Sequence, residues 1–454
     1  MEVTLNLKIK DWYRNTSDND LNYWGLDYPP LSAYQSWTSG KFLALFDPKS
    51  VELHSSRGYE NELSKIGMRL SVILSDMLIY IPACVAWSWT IPSVSPRIGV
   101  LAWMICNPAL LIIDHGHFQY NSISLGLTVA STYCIVSKKY ILGSFLFCGA
   151  LNHKQMTLYF APAFFFHLLG VCMQEKGITK KIGMLLKLGI AVLTAFALFW
   201  LPYLSNYDSL IQVLRRIFPM QRGLFEDYVA NFWCVSSLVF KWKKHLTGSV
   251  LAKLCGLATM FMSLPALLMQ LTKPSGKTFP LCLANTSLAF FVFSYQVHEK
   301  SILIPLIPLS MLASRGGKIS SMNLFMIALM TMYPLLKKDG LTIVYWAMHL
   351  LIVAIQCFTV DEVLSIQLAP DSVLSLIAGF VLSPILVPCG IVLVHVFCYF
   401  IQPWSTKEYL SDAIMMLTGF GFVVLQLIMT NLYQFSLWRQ IGNVRRVQQE
   451  KAEH

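Results

Sequence analysis

The strongest constraint on this chain is a succession of long apolar runs separated by short polar loops. The runs lie near 70–90, 98–113, 122–137, 140–153, 155–172, 184–203, 249–270, 279–296, 301–314, 319–336, 341–360, 374–400 and 411–438. In a bilayer the backbone finds no water, so each spanning segment must satisfy its own amides and carbonyls and is expected to be helical. A straight crossing needs roughly 20 residues. The runs at 98–113, 140–153 and 301–314 are therefore expected to be tilted, broken or lengthened by their polar flanks. Composition agrees: 55% of residues are hydrophobic and only 13% charged, against about 25% charged in a soluble domain. The expected fold is an all-α polytopic membrane protein with about thirteen transmembrane helices.

The net charge of +11 does not read as a nucleic-acid surface. The basic residues stand in small groups between apolar runs, at Lys138-Lys139, Lys180-Lys181, Arg315 with Lys318, and Arg445-Arg446, as cytoplasmic loop anchors do. Eleven cysteines fall mostly singly inside apolar runs, with no CxxC pair, so reduced buried thiols are expected rather than disulfides or a zinc site. If the basic C-terminal tail is cytoplasmic, thirteen spans put the loops 138–139, 173–183, 271–278 and 315–318 on the same side. The opposite side then receives 1–69, 114–121, 204–248 and 297–300. Lys337-Lys338 runs against this bias. The expected division is a luminal segment 1–69 and a transmembrane helical domain 70–454 with a luminal loop 204–248.

The first sixty-odd residues are polar, aromatic and rich in turns, and no charged segment followed by an apolar core marks a signal peptide. Asn15-Thr16-Ser17 is a glycosylation sequon there, whereas Asn285-Thr286-Ser287 lies inside an apolar run.

Four polar stations could carry chemistry. Asp114-His115-Gly116-His117-Phe118-Gln119-Tyr120-Asn121 could ligate a metal, cap two helix ends, or present a hydrogen-bonding loop to a substrate. Metal is disfavoured because residues two apart do not share a helix face. Arg215, Arg216 and Arg222, on the side the positive-inside bias leaves poor in cations, suit a phosphate through bidentate geometry, unless Glu226 and Asp227 simply pair with them. His298-Glu299-Lys300 stands at a membrane boundary, where ionisable groups are costly and often functional, although an interfacial lysine can be a plain anchor. Asp27 lies in a Trp-Gly-Leu-Asp-Tyr-Pro-Pro turn whose aromatics could stack on sugar rings, or else it caps the turn. Asn152-His153-Lys154-Gln155 is a fifth and weaker polar breach.

Together these segments resemble the eukaryotic dolichyl-phosphate-glucose-dependent glucosyltransferase family. The resemblance rests on Trp24-Gly-Leu-Asp-Tyr-Pro-Pro-Leu31, Ser56-Arg-Gly-Tyr-Glu60, Asp114 through Asn121, Arg215-Arg-Ile-Phe-Pro219, Arg222-Gly-Leu-Phe-Glu-Asp227 with Val229-Ala-Asn-Phe-Trp-Cys234, and Val297-His-Glu-Lys300. It covers residues 1 to about 315; beyond that only hydropathy matches. The Glu-Asp pair followed by Val-Ala-Asn-Phe-Trp is similar to the branch that adds the first glucose to the N-glycan precursor rather than the second.

The resemblance implies a GT-C-type helical bundle in the endoplasmic reticulum membrane, with active-site loops in the lumen. It implies dolichyl phosphate glucose as donor, Man9GlcNAc2-PP-dolichol as acceptor, and neither cofactor nor metal. The implied reaction is one inverting displacement: a carboxylate takes the proton of the attacking mannose hydroxyl, and cations stabilise the departing phosphate. His298, Lys300, Arg215, Arg216 and Arg222 are the implied phosphate ligands. Asp27, Glu226, Asp227, Asp114 and His117 are the implied sugar contacts. The resemblance also implies a further span and a Gly-Asp-(Tyr/Phe)-Glu-Ala-Gln-Arg-His-Trp segment ahead of the residues matching Met1-Glu2-Val3-Thr4, with the base aspartate in that segment. On that reading the chain as given is expected to lack its base and its activity, unless Asp27 stands in. A transporter is the competing class. It would place charges within its spans and show paired repeats, whereas here charges collect in loops on one face and no repeat is evident.

Overall fold

A computed structural model describes residues 1–218, 223–224, 228–313, 318–357, 379, 383–401 and 409–453, with the side chains of 318–320 and 445–453 left aside. The described residues form helices and no strand. Among the described residues six helices are long and apolar enough to cross a membrane: Glu62–Ser88, Val94–Gly116, Gln155–Gln174, Ile178–Tyr203, Gly248–Thr272 and Leu410–Val444. Asn121–Val136, Phe279–Phe293, Ser321–Thr331, Thr342–Cys357 and Leu386–Ile401 are apolar but shorter. The run expected near 301–314 contains a helix of only nine residues, Leu303–Met311. The first long helix starts at Glu62. The chain divides into two compact units, 1–87 with 113–158 and 178–222, and 88–112 with 159–177 and 223–454.

In the first unit, the amino-terminal segment expected to be a loop is folded. The helix Pro30–Ala44 opens on proline at its first position, where the missing amide costs nothing. Asn61 starts the next long helix with a reciprocal capping box to Ser64. Trp12, Tyr13 and Ala33 are buried with Trp200, Tyr203, Val213 and Ile217 in one cluster, so the segment is tied to the end of the Ile178–Trp200 helix and to Tyr207–Ile217. Small residues allow the apolar helices to approach closely. A Cβ on Gly126 would lie 2.9 Å from the Tyr80 backbone, and one on Gly143 2.7 Å from Ile135. Hydroxyls within these helices turn back on their own carbonyls, as Thr128 does to Ser124 and Thr132 to Thr128, and so remain satisfied away from water.

In the second unit, Phe279–Phe293 and Leu303–Met311 are buried almost throughout. Asn285 donates to Gln434 at 2.7 Å and accepts from Asn431 and from Thr430. Gln434 donates in turn to the Ala266 carbonyl. The sequon at Asn285 is therefore spent inside the bundle.

Candidate functional site

The polar stations fall in both units. In the first, three side chains grip the turn that carries Asp27 by its carbonyls. Arg216 Nε donates to the Leu26 oxygen at 2.9 Å, Gln155 Nε2 to that of Asp27 at 3.1 Å, and the Tyr13 hydroxyl to that of Tyr28 at 2.7 Å. Glycine at position 25 makes room for this: a Cβ there would meet the Arg216 guanidinium at 2.6 Å. Burial pushes the Tyr13 hydroxyl well above its ordinary range, so it stays a neutral donor. Asp27 is half-buried, and Trp24 and Tyr23 stand exposed beside it. Arg216 is thus engaged in holding the turn, while Arg215 is exposed on the same helix. Arg222, Glu226 and Asp227 lie outside the described residues.

Behind the turn is a buried charged cluster. Asp114, 1% exposed, accepts from Asn121 Nδ2 at 2.6 Å and from the Ser122 amide at 2.8 Å. Asn121 offers its oxygen to Lys154 Nζ, which also reaches Gln119 Oε1 at 3.3 Å. Lys154, 8% exposed, lies 5.4 Å over the ring of Tyr28. Buried opposite charges persist only when paired and hydrogen-bonded, and the amides of Asn121 and Gln119 provide that bridging here. The cluster thus runs from a fixed carboxylate, through amides and a lysine, to an aromatic ring that is 37% exposed on the Asp27 turn.

Two π-turns shape this region. One, Asp76–Tyr80, interrupts the Glu62–Ser88 span, and the other, Ile112–Gly116, ends the Val94–Gly116 span. Such widened turns are frequent at functional sites. Here each presents an ionisable side chain, and Asp76 Oδ2 meets His115 Nε2 at 2.8 Å. Asp76 Oδ1 is buried with no hydrogen-bond partner among the described residues. Tyr120 meets the Ser71 hydroxyl at 2.6 Å, and burial raises its own hydroxyl above the ordinary range. His117 is half-buried in the same loop, next to Phe118 in left-handed backbone (φ +67°). Among the described residues no three His, Cys, Asp or Glu are grouped to hold a metal ion.

In the second unit, His298 caps the short turn Glu299–Ile302, and its backbone amide donates to the Ser301 hydroxyl oxygen at 3.3 Å. His298 and Lys300 are half-buried. Glu299 is buried, 3.9 Å from His298 Nδ1, and its Oε2 has no hydrogen-bond partner among the described residues. Gln296, in left-handed backbone (φ +59°), ties the segment to the Leu224 carbonyl at 2.9 Å.

Sequence reasoning gave Lys154 too little weight and missed Asp76. The signal for Asp76 was a single carboxylate inside an apolar run, costly unless it has a partner. It is an exception to the expectation that charges collect in loops.

The ALG6, ALG8 glycosyltransferase family model matches residues 1–429. A relative from Arabidopsis thaliana, named probable dolichyl pyrophosphate Man9GlcNAc2 alpha-1,3-glucosyltransferase, is 42% identical over 98% of this chain and 84% of its own length. Proteins named dolichyl pyrophosphate Man9GlcNAc2 alpha-1,3-glucosyltransferase are 42% identical in Gallus gallus, over 76% of this chain and 68% of theirs, and 39% identical in Rattus norvegicus, over 86% and 78%.

Proposed function

The chain belongs to the ALG6, ALG8 glycosyltransferase family, and on that premise we propose that it adds the first glucose, in α-1,3 linkage, to Man9GlcNAc2-PP-dolichol. Dolichyl phosphate glucose is the donor, and the setting is the endoplasmic reticulum membrane, with the sugar-handling loops on the luminal side of a GT-C-type bundle. The observation that carries the reading is that plant, bird and rodent relatives with this one printed activity match the chain at about 40% identity over most of its length.

Roles follow from chemistry. His117 and the Asp27 turn are assigned to sugar hydroxyls, since carboxylates and half-exposed aromatics suit polar rings with apolar faces, whereas Asp114, buried and already accepting from Asn121 and Ser122, is assigned to hold the loop beside them rather than to touch sugar. Asp27 is the described carboxylate assigned to receive the proton of the attacking hydroxyl. His298 and Lys300 are assigned to the donor phosphate, where cations match the charge that grows as it leaves. Arg215 and Arg222 are kept as further phosphate ligands, and Arg216 as the clamp on the Asp27 turn. Glu226 and Asp227 keep their sugar-contact assignment from sequence. Exposed Asn15 is assigned as a glycan acceptor, testable by a mobility shift on glycosidase treatment.

The test is expression in cells lacking their own first glucosyltransferase, with the lipid-linked oligosaccharide analysed by mass. Conversion of Man9GlcNAc2 to a product heavier by one hexose is expected. No conversion by a correctly inserted chain overturns the reading, and glucosylation only of an acceptor that already bears one glucose would assign the chain to the second step.

A further inference from the structure

Two helices of the first unit, Tyr140–His153 and the apolar span Ile178–Trp200, line a groove of about 650 Å³ that the transfer chemistry does not use. Its walls are Ile141, Leu142 and Phe145 on one side and Met184 and Ala191 on the other. Its mouth is Lys138 and Lys139, both exposed. Phe145 also lies 6.3 Å from Phe199, ring to ring, so the two helices run in the same direction. Lys180 and Lys181 therefore sit at the lysine-bearing end, one turn before Met184. No acidic residue occurs in 137–145 or 178–187.

The corner that presents the first two lysines has an unusual occupant. The helix Asn121–Val136 ends with the Lys138 amide on the Ile135 carbonyl and the Lys139 amide on that of Cys134, at 3.0 and 2.7 Å. This closure requires left-handed backbone, and Lys138 has φ +62°. Glycine is the usual residue there, and lysine adopts that backbone at a cost. A strained position filled by a cation suggests that the cation has a use beyond the turn.

One wall of the groove belongs to an apolar helix that is largely uncovered by protein. The span Ile178–Tyr203 is the least buried of the long apolar helices, with 17% of its apolar window covered by protein. Apolar walls leading to a cluster of cations match an acyl chain below a phosphate. Basic pockets between membrane helices bind anionic headgroups in this way, and lysine serves as a compact phosphate partner.

We propose that this groove binds an anionic glycerophospholipid, its phosphate on Lys138 and Lys139 and one acyl chain along Phe145, Met184 and Ala191. The test is native mass spectrometry of the full chain in mild detergent, titrated with phosphatidylinositol and with phosphatidylcholine of matched chains, and needs no glycosyl substrate. At least a fivefold preference for phosphatidylinositol is expected, reduced to none in K138E/K139E. Lys138→Gly separates lipid binding from folding: it should hold or raise thermal stability, because it relieves the corner, and still weaken phosphatidylinositol retention severalfold. Unchanged preference in both variants overturns the proposal, as does full competition by inorganic phosphate. Tighter retention of dolichyl phosphate than of phosphatidylinositol, lost in K138E/K139E, would also overturn it, in favour of an isoprenoid site.

Discussion

Each compact unit buries a polar cluster among apolar helices, and the two clusters differ in kind. In the second unit, Asn285, Gln434, Asn431 and Thr430 are neutral and close on one another in mid-helix. In the first, Asp114, Lys154, Asp76 and His115 are ionisable and lie at π-turns and helix ends, and Lys154 lies over the half-exposed ring of Tyr28. Amides that satisfy each other hold helices in register without any other ligand. Charges held through intermediaries, beside an accessible surface, are expensive to keep and suit a site that must act on a substrate. The contrast is between a cluster built to hold helices together and one whose charges suit the sugar contacts proposed above.

The contrast can be broken most severely at Asp114. Asp114→Ala leaves Lys154 buried without its counter-charge and two donors unmet, and should cost about 3–5 kcal/mol of stability, read as a large fall in the thermal midpoint of the purified chain. Asp114→Asn with Lys154→Met should recover much of that stability but not glucosylation. Recovery of both would make the charged pair structural and erase the distinction between the units.

Asn285→Leu should cost about 1–3 kcal/mol, because Gln434 and Asn431 lose a buried partner. Adding Gln434→Leu should bring stability back toward the starting value. Glucosylation per folded molecule should be unchanged in both, and a loss of turnover would move this cluster into the functional class.

His298→Ala is expected to change stability little, since the ring is half-buried, and to raise the KM for the dolichyl-linked donor about tenfold, or about 1.4 kcal/mol. An unchanged KM counts against the phosphate role. Smallest should be Tyr28→Leu, which removes a ring under Lys154 worth about 0.5–2 kcal/mol, read as a modest fall in stability and a weaker acceptor interaction.

Much of this was legible in the sequence because the bilayer imposes a simple rule. Apolar runs become helices, and polar stations become their ends, as at Asp114 and His298. The folding of residues 1–61 was not legible. Their apolar content is sparse, and their burial depends on Trp200, Tyr203 and Ile217, far away in sequence. Arg216 shows a second limit. A guanidinium suits phosphate and carbonyl alike, and only the positions of Gly25 and Leu26 reveal which it meets. Asp76 shows a third: its meaning depends on His115, which a π-turn brings to it.

The grip on residues 26–28 has a consequence for how such a site can diversify. Arg216, Gln155 and Tyr13 take hold of carbonyl oxygens, which every amino acid possesses. The anchor is therefore blind to side-chain identity, and the turn works as a socket. Evolution or a designer can exchange what the socket presents to an incoming sugar without unhooking it from the scaffold, whereas a change at any of the three anchoring residues would shift the whole turn at once.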